Sequence, residues 1–271
     1  KAIDGLKKLR PSPLGVADDA ALIGQANYEE HLEQLRGCDL IIEAIAERMD
    51  WKRDLYAKIA SYVAPHAIVA SNTSGLSITA LSEALPAEMK PRFCGIHFFN
   101  PPRYMQLVEL IPTPTSDAGM LDQLETFVTR TLGKGVVRAK DTPNFVANRV
   151  GTAGMLATIA EAAKFGLGYD VVDDLTGKKL GRASSGTFRT ADVVGLDTLA
   201  HVIKTLQDTL GPDQANDPFY PSFATPPALA KLIGAGALGQ KTGAGFYKKV
   251  GKDILRFDLD KGDYVPAGGK A

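Results

Sequence analysis

One octapeptide gathers the residue types that proton chemistry needs. Gly95-Ile96-His97-Phe98-Phe99-Asn100-Pro101-Pro102 takes a short apolar run into a histidine, two aromatics and an Asn-Pro-Pro stop, and Glu109 is the only strong acid close downstream. Imidazole has an ordinary pKa of about 6.5, so it takes or gives a proton near neutral pH. At the carboxyl end of a strand it would stand where open α/β sheets bind their ligands. A core histidine packed among aromatics satisfies the octapeptide equally well, and only the elements around it can separate the two.

Those elements alternate. Residues 39–45 form a continuous apolar run with Glu43 near its end, which predicts a buried parallel strand. Asp50 can cap a helix carrying Trp51, Leu55, Ile59 and Val63. Residues 67–71 predict a second buried strand, and Ser77 precedes an amphipathic helix with Ile78, Leu81 and Leu85. Residues 93–98 and 107–111 predict two further strands. Ser116 opens a helix holding Leu121, Leu124, Phe127, Val128 and Leu132 that Gly133 stops, and Val136 begins a fifth strand. Strands and helices alternating at this spacing predict a doubly wound α/β sheet.

The pattern changes at Asp141-Thr142-Pro143. From Phe145 to about Lys248 apolar residues such as Met155, Ile159, Ala162 and Ala163 follow helical spacing, with stops at Gly166 and Gly211 and a cap at Asp170 ahead of Val171, Val172 and Leu175. The expectation is an α/β domain over residues 1–140, a helical domain over 141–248, and a polar, poorly periodic tail or linker over 249–271. The chain opens on Lys1, and Ile3, Leu6 and Leu9 share a helical face from the start with no signal-peptide pattern, so the opening reads as part of a longer chain.

Composition narrows the classes. The 271 residues carry 31 Lys+Arg against 31 Asp+Glu, so no basic field advertises nucleic acid or an anionic membrane. No apolar run is long enough to span a bilayer. Cys38 and Cys94 have neither metal-ligand nor Cys-x-x-Cys spacing and read as reduced thiols in a reducing compartment, bacterial cytoplasm or mitochondrial matrix, and no metal site is expected. His31, His66 and His201 read as surface or structural residues. Gly234-Ala235-Gly236-Ala237-Leu238-Gly239 matches the GxGxxG string, yet a helical run precedes it where a dinucleotide loop needs a strand, so a helix stop is expected. A phosphate-cradling loop, if the α/β domain has one, must lie upstream of Lys1.

Seven strings in order carry a resemblance. They are Ile42-Glu43-Ala44-Ile45-Ala46-Glu47 with Lys52; Ser71-Asn72-Thr73-Ser74; His97-Phe98-Phe99-Asn100-Pro101; Val108-Glu109; residues 141–149, Asp-Thr-Pro-Asn-Phe-Val-Ala-Asn-Arg; Val194-Gly195-Leu196-Asp197-Thr198; and residues 241–247, Lys-Thr-Gly-Ala-Gly-Phe-Tyr. From about Leu40 to Lys248 the chain resembles the L-3-hydroxyacyl-CoA dehydrogenase family. The resemblance implies an incomplete Rossmann-type doubly wound sheet, its first βαβ unit missing, followed by an all-α C-terminal domain that supports a homodimer. It implies NAD as cofactor and oxidation of a 3-hydroxyacyl-CoA to the 3-ketoacyl-CoA in fatty-acid β-oxidation.

By the same resemblance His97 is the catalytic base and Glu109 the carboxylate that orients it. Ser74 and Asn148 hydrogen-bond the substrate oxygen, with Ser74 also near the nicotinamide. Glu47, Lys52, Asn100 and Lys241 contact NAD. From the residues alone, the alternatives are that Ser74 and Asn148 are local caps and Glu47 with Lys52 an ordinary pair on a solvated helix start. Two departures bear on cleft shape: Asn144 stands where the family usually has Gly, and Gly186-Thr187-Phe188 replaces Gly-Pro-Phe. Without the phosphate loop, these residues alone are expected to bind NAD poorly and to be nearly inactive. Fusion to an enoyl-CoA hydratase module, a 3-hydroxybutyryl-CoA specificity and a non-catalytic dimeric scaffold are the alternatives the resemblance leaves open.

Overall fold

The computed structural model describes residues 2–210 and 217–271, so Lys1 and the expected helix stop at Gly211 lie outside the described residues. The chain divides into two units, Lys1–Thr142 and Pro143–Ala271, at the composition break read near residue 141.

In the first unit α1 (Ala2–Lys8) leads through short 3₁₀ turns to β1 (Leu40–Glu43), α2 (Met49–Ile59), β2 (Ile68–Ser71), α3 (Ile78–Ser82), β3 (Phe93–Phe98), β4 (Leu107–Pro112), α4 (Ala118–Thr126) and β5 (Gly135–Arg138). They form one sheet in the order β1-β2-β3-β4-β5. β1, β2 and β3 run parallel, as their unbroken apolar runs predicted, and β5 is parallel to β4. β4, however, is antiparallel to β3. The short, Pro-rich connection over residues 99–106 holds no helix, and a parallel return would need a crossover of a dozen or more residues.

Alternation across the sheet sorts the side chains. Cys94, Ile96, Val108 and Leu110 face the α4 side, where they pack with Met120, Leu121, Leu124 and Val128. Gly95, His97, Glu109 and Ile111 therefore share the opposite face. Gly95 lets α3 lie close there, since a Cβ at that position would stand 2.8 Å from Ile78 Cδ1 and 3.1 Å from Ile111 Cβ.

Three expected caps are placed differently. Ser77 does cap α3, its Oγ accepting from Ala80 N at 3.1 Å. α2, though, starts from Arg48, and Asp50 sits inside its first turn with its carboxylate held by the Arg48 guanidinium. An acid in the first turn complements the helix dipole without being the cap. α4 is capped by Asp117, which accepts from Met120 N at 2.7 Å, while the Ser116 hydroxyl accepts from Thr113 N at 2.8 Å and donates to the Phe93 carbonyl. Asp170 is the third case, described with its unit below.

The second unit contains α5 (Ala147–Lys164), α6 (Tyr169–Thr176), α7 (Phe188–Val194), α8 (Leu196–Leu210) and α9 (Pro227–Gly234) around a core that includes Leu156, Phe188, Leu199, Ile203, Leu229 and Phe246. α9 runs into Gly236 at φ +72°, so the GxGxxG string is the end of a helix. The residues read as a tail build a three-stranded antiparallel sheet, β6 (Tyr247–Val250), β7 (Asp253–Asp258) and β8 (Asp263–Pro266). The strands are short and Phe257 alone among their residues is buried, so they lack the apolar run that reveals a strand in sequence.

Buried acids moor this sheet. Asp170 lies in the first turn of α6, which Gly168 caps, and accepts from Gly268 N and Gly269 N while Arg256 pairs with it at 3.1 Å. Asp173 accepts from Thr187 N, Phe188 N, Arg189 N and the Tyr247 hydroxyl. Asp192 accepts from Phe246 N and Tyr247 N. The Thr187 N–H bond explains the departure at that position, since a proline there has no N–H to give.

Candidate active site

The antiparallel register of β3 and β4 sets His97 directly opposite Glu109. Directly opposed residues project to the same face with Cβ atoms about 5 Å apart, within reach of a hydrogen bond. His97 Nδ1 lies 2.8 Å from Glu109 Oε2, with His97 3% exposed and Glu109 0%. A carboxylate on Nδ1 keeps the proton of the neutral ring there and so leaves the lone pair on Nε2, the arrangement of a base rather than a donor. Phe99 packs against the imidazole with ring centroids 4.4 Å apart. The histidine is thus both packed among aromatics and backed by a carboxylate, and the two readings of the octapeptide merge.

A second cluster forms where β1 and β2 end. Glu47 Oε1 accepts from the Thr73 hydroxyl, from Ser74 N at 2.9 Å and from Gly75 N at 3.1 Å. One carboxylate therefore shapes the turn that carries Ser74. Beneath it Lys52, 1% exposed, places Nζ 2.6 Å from Glu43 Oε1 and 3.3 Å from the Ile45 carbonyl, with Glu47 Oε2 at 3.7 Å. Lys52 is not part of a solvated pair. Glu43 also accepts from the Tyr56 and Ser71 hydroxyls and from Ile45 N. Burial pushes the Tyr56 phenol far above its ordinary range, which keeps it a donor.

Sequence reasoning passed over Glu43, Asn72, Thr73 and Asp141 as individual residues although all four stand in the quoted strings. Asn72 Oδ1 accepts from Phe98 N at 3.0 Å and so ties the turn after β2 to the end of β3 beside His97. Asp141 accepts from the Ser77 hydroxyl, Ile78 N and Thr79 N, which fixes the start of α3 just beyond Ser74. A buried acid among apolar strand residues was the available signal at Glu43, because such a charge has to be paired.

The remaining site candidates stand on other segments. Asn100 is exposed in the turn after β3. Asn148 and Lys241 belong to the second unit: Asn148 is half-buried in the first turn of α5, and both Asp197 carboxylate oxygens lie 2.6 Å from Lys241 Nζ. Asn144 has φ +56°, the left-handed conformation for which asparagine can replace glycine, and Nδ2 reaches the Val202 carbonyl.

Glu47, Ser74 and His97 thus follow or end three parallel strands at one carboxyl edge of the sheet. Hydroxyl, carboxylate and imidazole groups at that edge fit the ribose and nicotinamide end of a dinucleotide, while a strand–GxGxxG–helix cradle is not among the described residues. An α/β unit built this way and followed by a helical one is an arrangement that dinucleotide-binding proteins use.

Comparison with known proteins narrows the class. Two family models match, "3-hydroxyacyl-CoA dehydrogenase, NAD binding domain" over residues 7–142 and "3-hydroxyacyl-CoA dehydrogenase, C-terminal domain" over residues 145–249. The chain belongs to the 3-hydroxyacyl-CoA dehydrogenase family. It is 42% identical over 95% of its length to a probable 3-hydroxyacyl-CoA dehydrogenase of Bacillus subtilis, and 38% identical over 91% to a putative fatty acid oxidation complex trifunctional enzyme of Rickettsia felis. It spans 32% and 34% of those two proteins, about a third of each. Among solved structures, (S)-3-hydroxybutyryl-CoA dehydrogenase PaaH1 from Ralstonia eutropha superposes with a TM-score of 0.75 at 28% identity, over 92% of this chain and 83% of that one.

Proposed function

We propose that the chain carries out the NAD-dependent oxidation of an L-3-hydroxyacyl-CoA to the 3-ketoacyl-CoA in fatty-acid β-oxidation. The observation that carries this reading is the buried His97–Glu109 pair at the carboxyl edge of the sheet. Bound NAD+ supplies the hydride acceptor. His97 takes the O3 proton through Nε2 as hydride leaves C3, so the C–H and O–H bonds are exchanged for the carbonyl. Glu109 stabilises the imidazolium formed and holds the ring orientation. Ser74 donates to the substrate oxygen, a role the resemblance also gives to Asn148, and so favours the developing oxyanion in the reverse direction. Glu47, Lys52, Asn100 and Lys241 are assigned to the cofactor side.

The Ralstonia neighbour, named (S)-3-hydroxybutyryl-CoA dehydrogenase, supports a second reading, the same chemistry on a short chain. The Rickettsia relative is named a fatty acid oxidation complex trifunctional enzyme, which supports attachment to further modules; the enoyl-CoA hydratase module is the one the resemblance suggests. A homodimer formed through the second unit accords with the exposed Val150 and Phe165 on α5 and at its end. NADH oxidation by the full chain, with 3-ketoacyl-CoAs of roughly four to sixteen carbons, tests the assignment. Turnover rising with chain length supports the β-oxidation role, turnover confined to acetoacetyl-CoA supports the second reading, and no turnover with any of them refutes both.

A further inference from the structure

We propose that Glu43 is a positioning residue that fixes Glu47 and the Ser74 turn for cofactor binding, acting through Lys52 and Ser71; the inference rests on the dehydrogenase reading above. Each Glu43 oxygen carries two bonds. Oε1 meets Lys52 Nζ at 2.6 Å and Ile45 N at 2.6 Å, and Oε2 meets the Ser71 hydroxyl at 2.7 Å and the Tyr56 hydroxyl at 3.0 Å. The partners come from the turn after β1, from α2 and from β2, so one carboxylate joins three elements beneath the proposed site.

Two routes lead from it to the same turn. Lys52 Nζ lies between Glu43 and Glu47 Oε2, at 2.6 and 3.7 Å, and Glu47 Oε1 receives the Thr73 hydroxyl and the Ser74 and Gly75 N–H groups. Ser71, held by Glu43, accepts from Thr73 N at 3.4 Å. A buried ion pair adds little stability over well-packed apolar residues of the same volume. What the pair adds here is direction: a cation held from below leaves Glu47 partly exposed, and its other oxygen is committed to three donors in one turn. Lys52, with Nζ between two carboxylates and a carbonyl, serves Glu47 in this arrangement.

Glu43→Gln keeps size and most hydrogen bonds but releases Lys52 toward Glu47, which draws Glu47 off the turn. The experiment is a double-mutant cycle of Glu43→Gln and Glu47→Gln on the full chain, read by NADH affinity, acetoacetyl-CoA turnover and thermal unfolding. Glu43→Gln alone is expected to weaken NADH binding about tenfold, and less than about twofold once Glu47 is already Gln, because coupled residues are not additive. Tyr56→Phe, which removes one donor and no charge, should weaken binding about twofold and covers the case of a Glu43 variant that fails to fold. Equal loss in both backgrounds, or full NADH affinity in Glu43→Gln or Tyr56→Phe, overturns the inference while wild-type turnover leaves the dehydrogenase reading standing. A wild-type chain that neither binds NADH nor turns over acetoacetyl-CoA removes both.

Discussion

In the proposed reaction the chemistry at His97 depends on which ring nitrogen holds the proton, and Glu109 at 2.8 Å from Nδ1 decides that. Glu109→Gln can still accept from Nδ1 through its amide oxygen but no longer offsets the imidazolium charge. Turnover is therefore expected to fall about 100-fold with little change in substrate KM, measured by steady-state kinetics of NADH oxidation. Both residues were legible in sequence because a histidine before a Pro-rich break and a lone acid in an apolar strand are conspicuous types. Glu43 was not. Its role comes from four partners up to 28 positions away, and no local spacing announces them. For Lys52, which the resemblance gave to NAD with a solvated pair to Glu47 as the alternative, the bonded partner Glu43 lies on the strand before it.

Elements were read better than their directions. The parallel strands β1 to β3 followed from unbroken apolar runs, but β4 shows the same run and goes the other way, because its connection is too short for a crossover. That reversal creates the His97–Glu109 register. Cap residues were ambiguous wherever two candidates adjoined, as with Ser116 and Asp117, since a side-chain oxygen committed to the Phe93 carbonyl is visible only once the fold brings it there. Close packing of α3 on the sheet depends on Gly95. Gly95→Ala should lower stability by about 1–3 kcal/mol in denaturant unfolding, through overpacking against Ile78 and Ile111. Because the displaced face carries His97, turnover should fall with it.

On the scale of the whole molecule, the alternation of elements and the break near residue 141 were legible, and the small sheet of residues 247–266 was not, because backbone bonds to buried acids hold it. Those acids make the second unit sensitive to pH in opposite directions. Burial pushes the Asp192 carboxyl from its ordinary 3.8 up to about 6. Its folded-state value lies above the unfolded one, so its contribution is full at low pH and is lost as pH rises from about 4 to about 6. Burial also raises Asp170, but the Gly268 and Gly269 N–H groups and Arg256 outweigh it and hold that carboxyl below its ordinary value, so its contribution is lost on acidification. The stability difference between the wild type and Asp192→Asn should therefore change by about 1–3 kcal/mol across pH 4–6 and be flat above, in thermal melts at each pH. What most directly tests the central claim, that His97 is the base, is the rate of NADH oxidation with acetoacetyl-CoA by the full chain carrying His97→Gln. The account predicts a loss of about 1,000-fold with NADH affinity and melting temperature near wild type, and an unchanged rate would contradict it.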